Sequence, residues 1–323
     1  MKEDFYITKH GRLFRKENTV YFADENGEKH LLPINKIGAI YIYGRVTLTS
    51  GAISYFASME IPVYFFNKYG FFEAALYPRE KLVSGHVIIN QAEHYLQHDK
   101  RLYLAKAFVD GSTGNILRNI NKWNLNGEKI YILRSKIEEA QNIPQLMEVE
   151  GKIREEYYRK IDEIFPDDFK MIKRVRQPPN NRMNALISFG NSLMYRTVLT
   201  EIYNTQLNPT ISYLHEPSER RFSLSLDIAE IFKPIIIDRL IMKLVRKNML
   251  KDSDFRKELN SVLLSDSGRR KFLEEYNNKL KSTITHRGLG KKVSIKRMIR
   301  IECYKLIKHV IGAEKYKPLI AWW

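Results

Sequence analysis

Three side chains in one stretch of this sequence have the types and spacing for acid–base or metal chemistry. His215 sits in a polar turn, and Asp227 and Glu230 follow at the entrance to a long apolar run, YLHEPSERRFSLSLDIAEIFKPIIIDRL. Acids three residues apart share one face of a helix, with Cβ atoms about 5–6 Å from each other. Their neighbours are Leu224, Leu226, Ile228, Ile231 and Phe232, so that face borders buried surface, where a carboxylate pair requires a counter-charge. Pro234 lies four residues beyond Glu230 and denies its carbonyl the usual helical hydrogen bond, so the helix is expected to bend or open beside the acids. A His215 turn that folds back over the helix N-terminus would complete a His/carboxylate cluster. Acids in a first helical turn also complement the dipole, and turn histidines are commonly just solvated. The stretch by itself leaves both readings open.

A further acid stands far upstream. Asn142 reads as a helix cap and Pro144 fits the first turn of a helix over IPQLMEVEGKIREEYYRKIDEIF, whose apolar stripe is Leu146, Val149, Ile153, Tyr157 and Ile161. Glu150 borders that stripe. Gly151 beside it costs about 1 kcal/mol against Ala in a helix, which predicts a neighbour packed close to the backbone there. An acid beside a gap on a core-leaning face is a candidate metal ligand. The plainer alternative is a Glu that reaches water among its many acidic neighbours.

The elements that must position these groups fall into two classes. Residues 4 to 78 read as short strands rich in aromatic and β-branched residues, with one short helix near Gly51 to Met59 and a hairpin signal at Asn26-Gly27. From about Gly85 onward the apolar spacing is helical, over 86–110, 115–123, 130–140, the Glu150 helix, and a central apolar helix from about Met183 to Gln206. The expected class is α+β: a β-rich domain over 1–78 suited to dimerisation, a linker over 79–85, and a larger all-α catalytic and DNA-binding domain over 86–323.

With 323 residues and 44% hydrophobic content the chain can bury a full core, and its net charge of +17 points to a polyanionic partner, with nucleic acid ahead of a membrane surface. No apolar run approaches the ~20 residues of a spanning helix, and the start of the chain lacks a signal-peptide core, so the expected compartment is the cytoplasm. The single Cys303 allows no internal disulfide and reads as a buried small hydrophobe.

The cations concentrate in two places. One is the linker FKMIKRVRQPPNNRM, with Lys173, Arg174 and Arg176 beside Pro178-Pro179. The other is the acid-free stretch between Glu275 and Glu302, with Arg287, Lys291, Lys292, Lys296, Arg297 and Arg300. Both look placed for phosphates. His286 and Arg287, in the turn THRGLG, are the pair expected nearest a reacting phosphate, and Ser294 reads as the cap of the last helix. Tyr158, Tyr195 and Tyr213 have the chemistry to stack on bases, although core packing is the commoner fate.

Four motifs in order, EGKIREEYY, RQPPNNRMNALISFGNSL, YLHEPSERRFSLSLDIAEIFKPIIIDRL and THRGLGKKVSIKRMIRIECYKLIKH, resemble the CRISPR-associated endonuclease and spacer integrase family (Cas one). The resemblance spans nearly the whole chain. It implies an N-terminal β-domain that dimerises, a helical catalytic domain, and a metal site of Glu150, His215 and Glu230, with Asp227 as a nearby fourth member. It also implies Mg²⁺ or Mn²⁺, duplex DNA fragments and the CRISPR repeat as substrates, and a small CRISPR-associated partner protein (Cas two). Some relatives carry Asp where this chain has Glu230. Ser212, Asn180-Asn181 and Gly111-Ser112 depart from the family pattern without touching a proposed ligand. Two carboxylates and one imidazole suit an octahedral divalent cation with open positions. The reaction so implied is attack of a 3′ hydroxyl on a phosphodiester, inserting a spacer into the array, or hydrolysis when water attacks. Two alternatives remain: a non-catalytic scaffold for duplex or branched DNA, and a junction-repair nuclease with the same site.

Overall fold

The structure, a computed structural model, describes residues 2–67, 69–176, 178–217 and 222–323. Residues 218–221, within the motif that follows His215, lie outside the described residues. The chain divides into two compact units, Met1–Lys81 and Leu82–Trp323.

Alternating apolar and polar residues make the first unit a strand structure. Its elements are β1 (Glu3–Ile7), β2 (Gly11–Lys16), β3 (Thr19–Asp24), β4 (Lys29–Leu31), β5 (Ile37–Ile42), β6 (Val46–Leu48), α1 (Ser50–Ser58), β7 (Val63–Phe66) and β8 (Phe72–Leu76). They build two four-stranded sheets, ordered β1-β5-β7-β8 and β4-β3-β2-β6. In the first, β1, β5 and β7 run parallel and β8 closes antiparallel. The β3–β4 hairpin turns at Gly27, whose φ of 80° suits a residue without a Cβ. Inward side chains of both sheets and α1, among them Leu13, Val20, Ile40, Phe56 and Val63, form one apolar core.

The second unit is mostly helical: α2 (Gly85–Leu96), α3 (His98–Lys122), α4 (Glu128–Glu139), α5 (Ile143–Asp162), α6 (Arg182–Tyr203), α7 (Leu224–Lys233), α8 (Arg239–Arg246), α9 (Asp266–Lys281) and α10 (Ile295–Val310). Two short hairpins lie among them, β9 (Phe255–Glu258) with β10 (Ser261–Leu264) and β11 (Thr283–Thr285) with β12 (Lys292–Ser294). The sequence reading had no strands here, because segments of three or four residues are too short to display a period of two.

One boundary also moves. The helices expected at 86–110 and 115–123 are divided instead at Gln97, and α3 runs unbroken through Gly111 and Gly114. These glycines serve packing: a Cβ on Gly111 would stand 2.5 Å from Pro318 Cβ, and one on Gly114 would stand 2.8 Å from Ile320 Cδ1. The chain's last segment therefore lies directly on the α3 backbone. At Gly151 the expectation of a close neighbour fails, since nothing lies within 4 Å of the site a Cβ would take. Its position on α5 turns to solvent.

Pro234 acts as its position predicts. Helix α7 passes into a π-helical turn, Pro234–Asp238, before α8, and carbonyls of this stretch are claimed by asparagines of α3. Asn115 Nδ2 donates to the Ile231 carbonyl and Asn119 Nδ2 to the Pro234 carbonyl, both at 2.8 Å. Such widened turns need outside donors when buried, because an unmet carbonyl in the interior costs on the order of 1–3 kcal/mol.

A candidate metal centre on the α5 and α7 helices

All ten residues of α7 are buried, Asp227, Glu230 and Lys233 included, and the helix packs on α3 and α6. Burying charge is tolerable only with partners. Asp227 spends both carboxylate oxygens on the turn before it: Oδ2 accepts the Tyr213 and Leu214 amides at 2.7 and 3.0 Å, and Oδ1 accepts the His215 amide at 3.1 Å. The same Oδ1 lies 2.8 Å from His215 Nδ1. A carboxylate only accepts, so Nδ1 carries the proton and Nε2 presents its lone pair elsewhere. Burial disfavours the charged imidazole, but the hydrogen bond and field of Asp227, aided by Glu230, outweigh it and raise the His215 pKa.

Glu230 is held differently. Arg154 of α5 and Lys233, one turn further along α7, both ion-pair with it. Burial opposes its charge, yet the fields of Lys233, Arg154 and His215 prevail and hold the carboxyl below the usual range. Arg154 also reaches back along α5, its Nε 2.9 Å from Glu150 Oε1, and donates from Nη2 to Ser112 Oγ at 3.2 Å. One guanidinium thus bridges Glu150 and Glu230. His215, Glu150 and Glu230, from segments remote in the chain, share one charged cluster.

Nearby, Asp238 is buried with Oδ2 lacking a hydrogen-bond partner. Desolvation pushes its pKa up to about 6 against the pull of Arg154. It lines a small cavity with Tyr158, Asp162 and Met171.

The donor types suit a divalent cation: two carboxylates, and an imidazole whose second nitrogen is already oriented by a carboxylate. Among the described residues, the donor atoms found within 4.8 Å of one another in a group of three belong to Asp24, Glu28 and His30. Glu150, His215 and Glu230 stand wider, with the guanidinium between the two acids. The Asp24 group is a turn device, since Asp24 Oδ1 accepts the Asn26 and Glu28 amides and Lys9 pairs with Oδ2.

A family model described as CRISPR associated protein Cas1 matches residues 5–278 of the chain. The chain belongs to the Cas1 family. A CRISPR-associated endonuclease Cas1 of Pyrococcus horikoshii is 52% identical over 321 residues, covering 99% of each chain. A CAS1 protein structure from Thermotoga maritima matches with a TM-score of 0.92 at 39% identity, over 98% of this chain and 100% of that one. The fold is also that of a casposase bound to integration product, at a TM-score of 0.89 and 20% identity over 100% of this chain and 94% of that chain.

In this Cas1-family chain the cations expected to meet phosphate divide into two groups. Lys173, Arg176, Arg287, Lys291, Lys292 and Arg297 are exposed, with Arg287 stacked over the Trp322 ring at 5.3 Å. Others have internal partners. Arg300 Nε lies 2.6 Å and Lys296 Nζ 3.9 Å from the buried Glu201 of α6. Arg174 donates to Asn184 Oδ1 and Ser188 Oγ, each at 3.0 Å. Of the tyrosines, Tyr213 is fully buried, while Tyr158 and Tyr195 keep partial exposure. Lys233 sits 4.6 Å over the Tyr195 ring. Cys303 is buried.

Sequence reasoning missed Arg154, Lys233 and Asp238. Arg154 stands four residues from Glu150 and Lys233 three from Glu230, spacings at which helical ion pairs form. That signal was available. Nothing in the sequence disclosed that the Arg154 fork spans two helices.

Proposed function

We propose that the protein is a divalent-cation-dependent DNA endonuclease and integrase of CRISPR adaptation, inserting short DNA fragments into the repeat array by attack of a 3′ hydroxyl on a phosphodiester. The observation that carries this reading is the convergence of Glu150, His215 and Glu230 on one partly buried, charge-compensated cluster in a chain with a surplus of 17 positive charges.

Glu150, His215 through Nε2, and Glu230 would hold Mg²⁺ or Mn²⁺. When bound, such a cation polarises the scissile phosphodiester and lowers the pKa of the attacking hydroxyl. The chain's own residues prepare the place. Asp227 fixes the tautomer and direction of His215, and removing such an orienting carboxylate typically costs ten- to a hundredfold in metal affinity or activity. Lys233 keeps Glu230 ionised. Arg154 supplies the counter-charge to both acids; it would have to release them for a cation to be held there, and its guanidinium would then be free to pair with a DNA phosphate. Lys173, Arg176, Arg287, Lys291, Lys292 and Arg297 are the residues offered to the DNA backbone, with Arg174, Lys296 and Arg300 set behind them.

DNA, a second copy through the strand-rich first unit, and the small partner Cas2 are the proposed partners, and the cytoplasm is the proposed compartment. Among the described residues no helix is long and apolar enough to cross a membrane.

A repeat-containing plasmid and short duplexes with free 3′ hydroxyls in Mn²⁺ test the reaction. Wild type is expected to leave fragments covalently joined to the repeat, and His215→Ala and Glu230→Gln to abolish joining while retaining DNA binding. The ion pairs already made by Glu150 and Glu230 favour one rival, a DNA-binding scaffold without chemistry, which requires joining to be absent in wild type or unchanged in both variants.

A further inference from the structure

Ile172 is 91% exposed and has φ of 61°, in the left-handed region that a β-branched residue avoids because its Cβ crowds the following carbonyl. It is the centre of a three-residue turn: the Lys173 N–H donates to the Met171 carbonyl at 2.6 Å, a tight and strained closure. The turn is clamped from outside. The Met171 and Ile172 amides donate to the two oxygens of Asp162, at 2.8 and 2.9 Å. Asn181, the cap of α6, donates from Nδ2 to the Met171 carbonyl at 2.8 Å. The Met171 side chain is buried beneath.

Backbone strain of this kind is a net cost to folding, and an isoleucine side chain left in water returns nothing by burial. Folding alone would favour Gly or Asn at this position. What the arrangement does provide is a stiff apolar side chain, restricted at χ1, held out on a backbone that cannot retreat.

Its surroundings indicate what it meets. Lys173 and Arg176 are exposed on the same segment, while the nearby acids Asp167 and Asp168 are already paired with Lys170 and Arg182. The turn adjoins the small cavity lined by Met171, Asp162, Tyr158 and Asp238. Asp162, which clamps the turn, lies on α5, the helix that also carries Glu150 and Arg154, about 18 Å along it from Glu150. Apolar side chains flanked by cations are what DNA-bending and DNA-opening proteins insert between base steps.

We propose that Ile172 is a wedge that enters a base step of the bound DNA, several steps along from the Glu150–Glu230 cluster, and unstacks it. The inference rests on the DNA reading given above and adds a contact to bases, which none of the cations supplies.

The test uses duplex and forked DNA carrying 2-aminopurine at successive positions near the 3′ end, with the full-length protein at saturation and binding followed separately by anisotropy. Wild type is expected to raise 2-aminopurine fluorescence at one step. Ile172→Gly is expected to lose most of that rise while binding DNA within a few-fold of wild type. Because Gly tolerates the positive φ, its thermal midpoint should be equal or higher, which separates loss of the wedge from loss of the fold. Ile172→Met, apolar but longer, should keep at least part of the rise. Wild type that binds DNA without any fluorescence change, or an Ile172→Gly signal equal to wild type, overturns the wedge and leaves the DNA reading standing. Wild type that does not bind DNA overturns both.

Discussion

Glu230 keeps its charge inside the protein because two cations on separate helices face it, and Asp238 shows what happens with less support. Its pKa rises to about 6, chiefly through burial, so the folded protein holds a proton that the unfolded chain releases at the ordinary carboxylate value. Stability from that proton is present at low pH and is lost as pH rises through 6. Asp238→Asn, which imitates the protonated form, should therefore gain on wild type as pH is raised from 4 to 7, approaching about 3 kcal/mol and constant above that. Denaturant unfolding of the two proteins across this range measures it, and parallel curves would contradict it. At this scale the sequence marked Glu150, His215, Asp227 and Glu230 as candidates by residue type and surroundings. It could not disclose the direction of Arg154, because helical spacing says which residues share a face and not how far a long side chain reaches beyond it.

Helix α3 carries the fold's second lesson. The ranges expected for two helices, 86–110 and 115–123, left 111–114 between them, yet α3 continues through Gly111 and Gly114, and these glycines admit the chain's last segment although glycine costs about 1 kcal/mol in a helix interior. Gly111→Ala should destabilise the protein by about 1–2 kcal/mol, the overpacking against Pro318 outweighing the gain in helix propensity. Gly151→Ala, with open space at its Cβ, should stabilise by about 0.5–1 kcal/mol. Urea unfolding of both variants reads the contrast directly, and shifts of the same sign would show that close approach to Pro318 is not what Gly111 serves. The Pro234 opening was legible because a missing N–H is a local fact. The asparagines that answer it were not, since Asn115 and Asn119 stand more than a hundred residues away in sequence.

Across the whole molecule, the change from period-two to helical patterning near residue 80 made the strand-rich and helical units legible in the sequence, and the charge of +17 supports the proposed polyanionic partner. The two hairpins of the helical unit were too short to register. The convergence of α5, the His215 turn and α7 was readable only through resemblance, because tertiary proximity leaves no mark in local periodicity. That convergence is the central claim, and manganese is its most direct probe. Crystals of the full-length protein grown with Mn²⁺ should give an anomalous peak bounded by Glu150, His215 Nε2 and Glu230, with Arg154 displaced from between the two acids. Absence of a peak there at saturating Mn²⁺, with Arg154 still bridging Glu150 and Glu230, would contradict it.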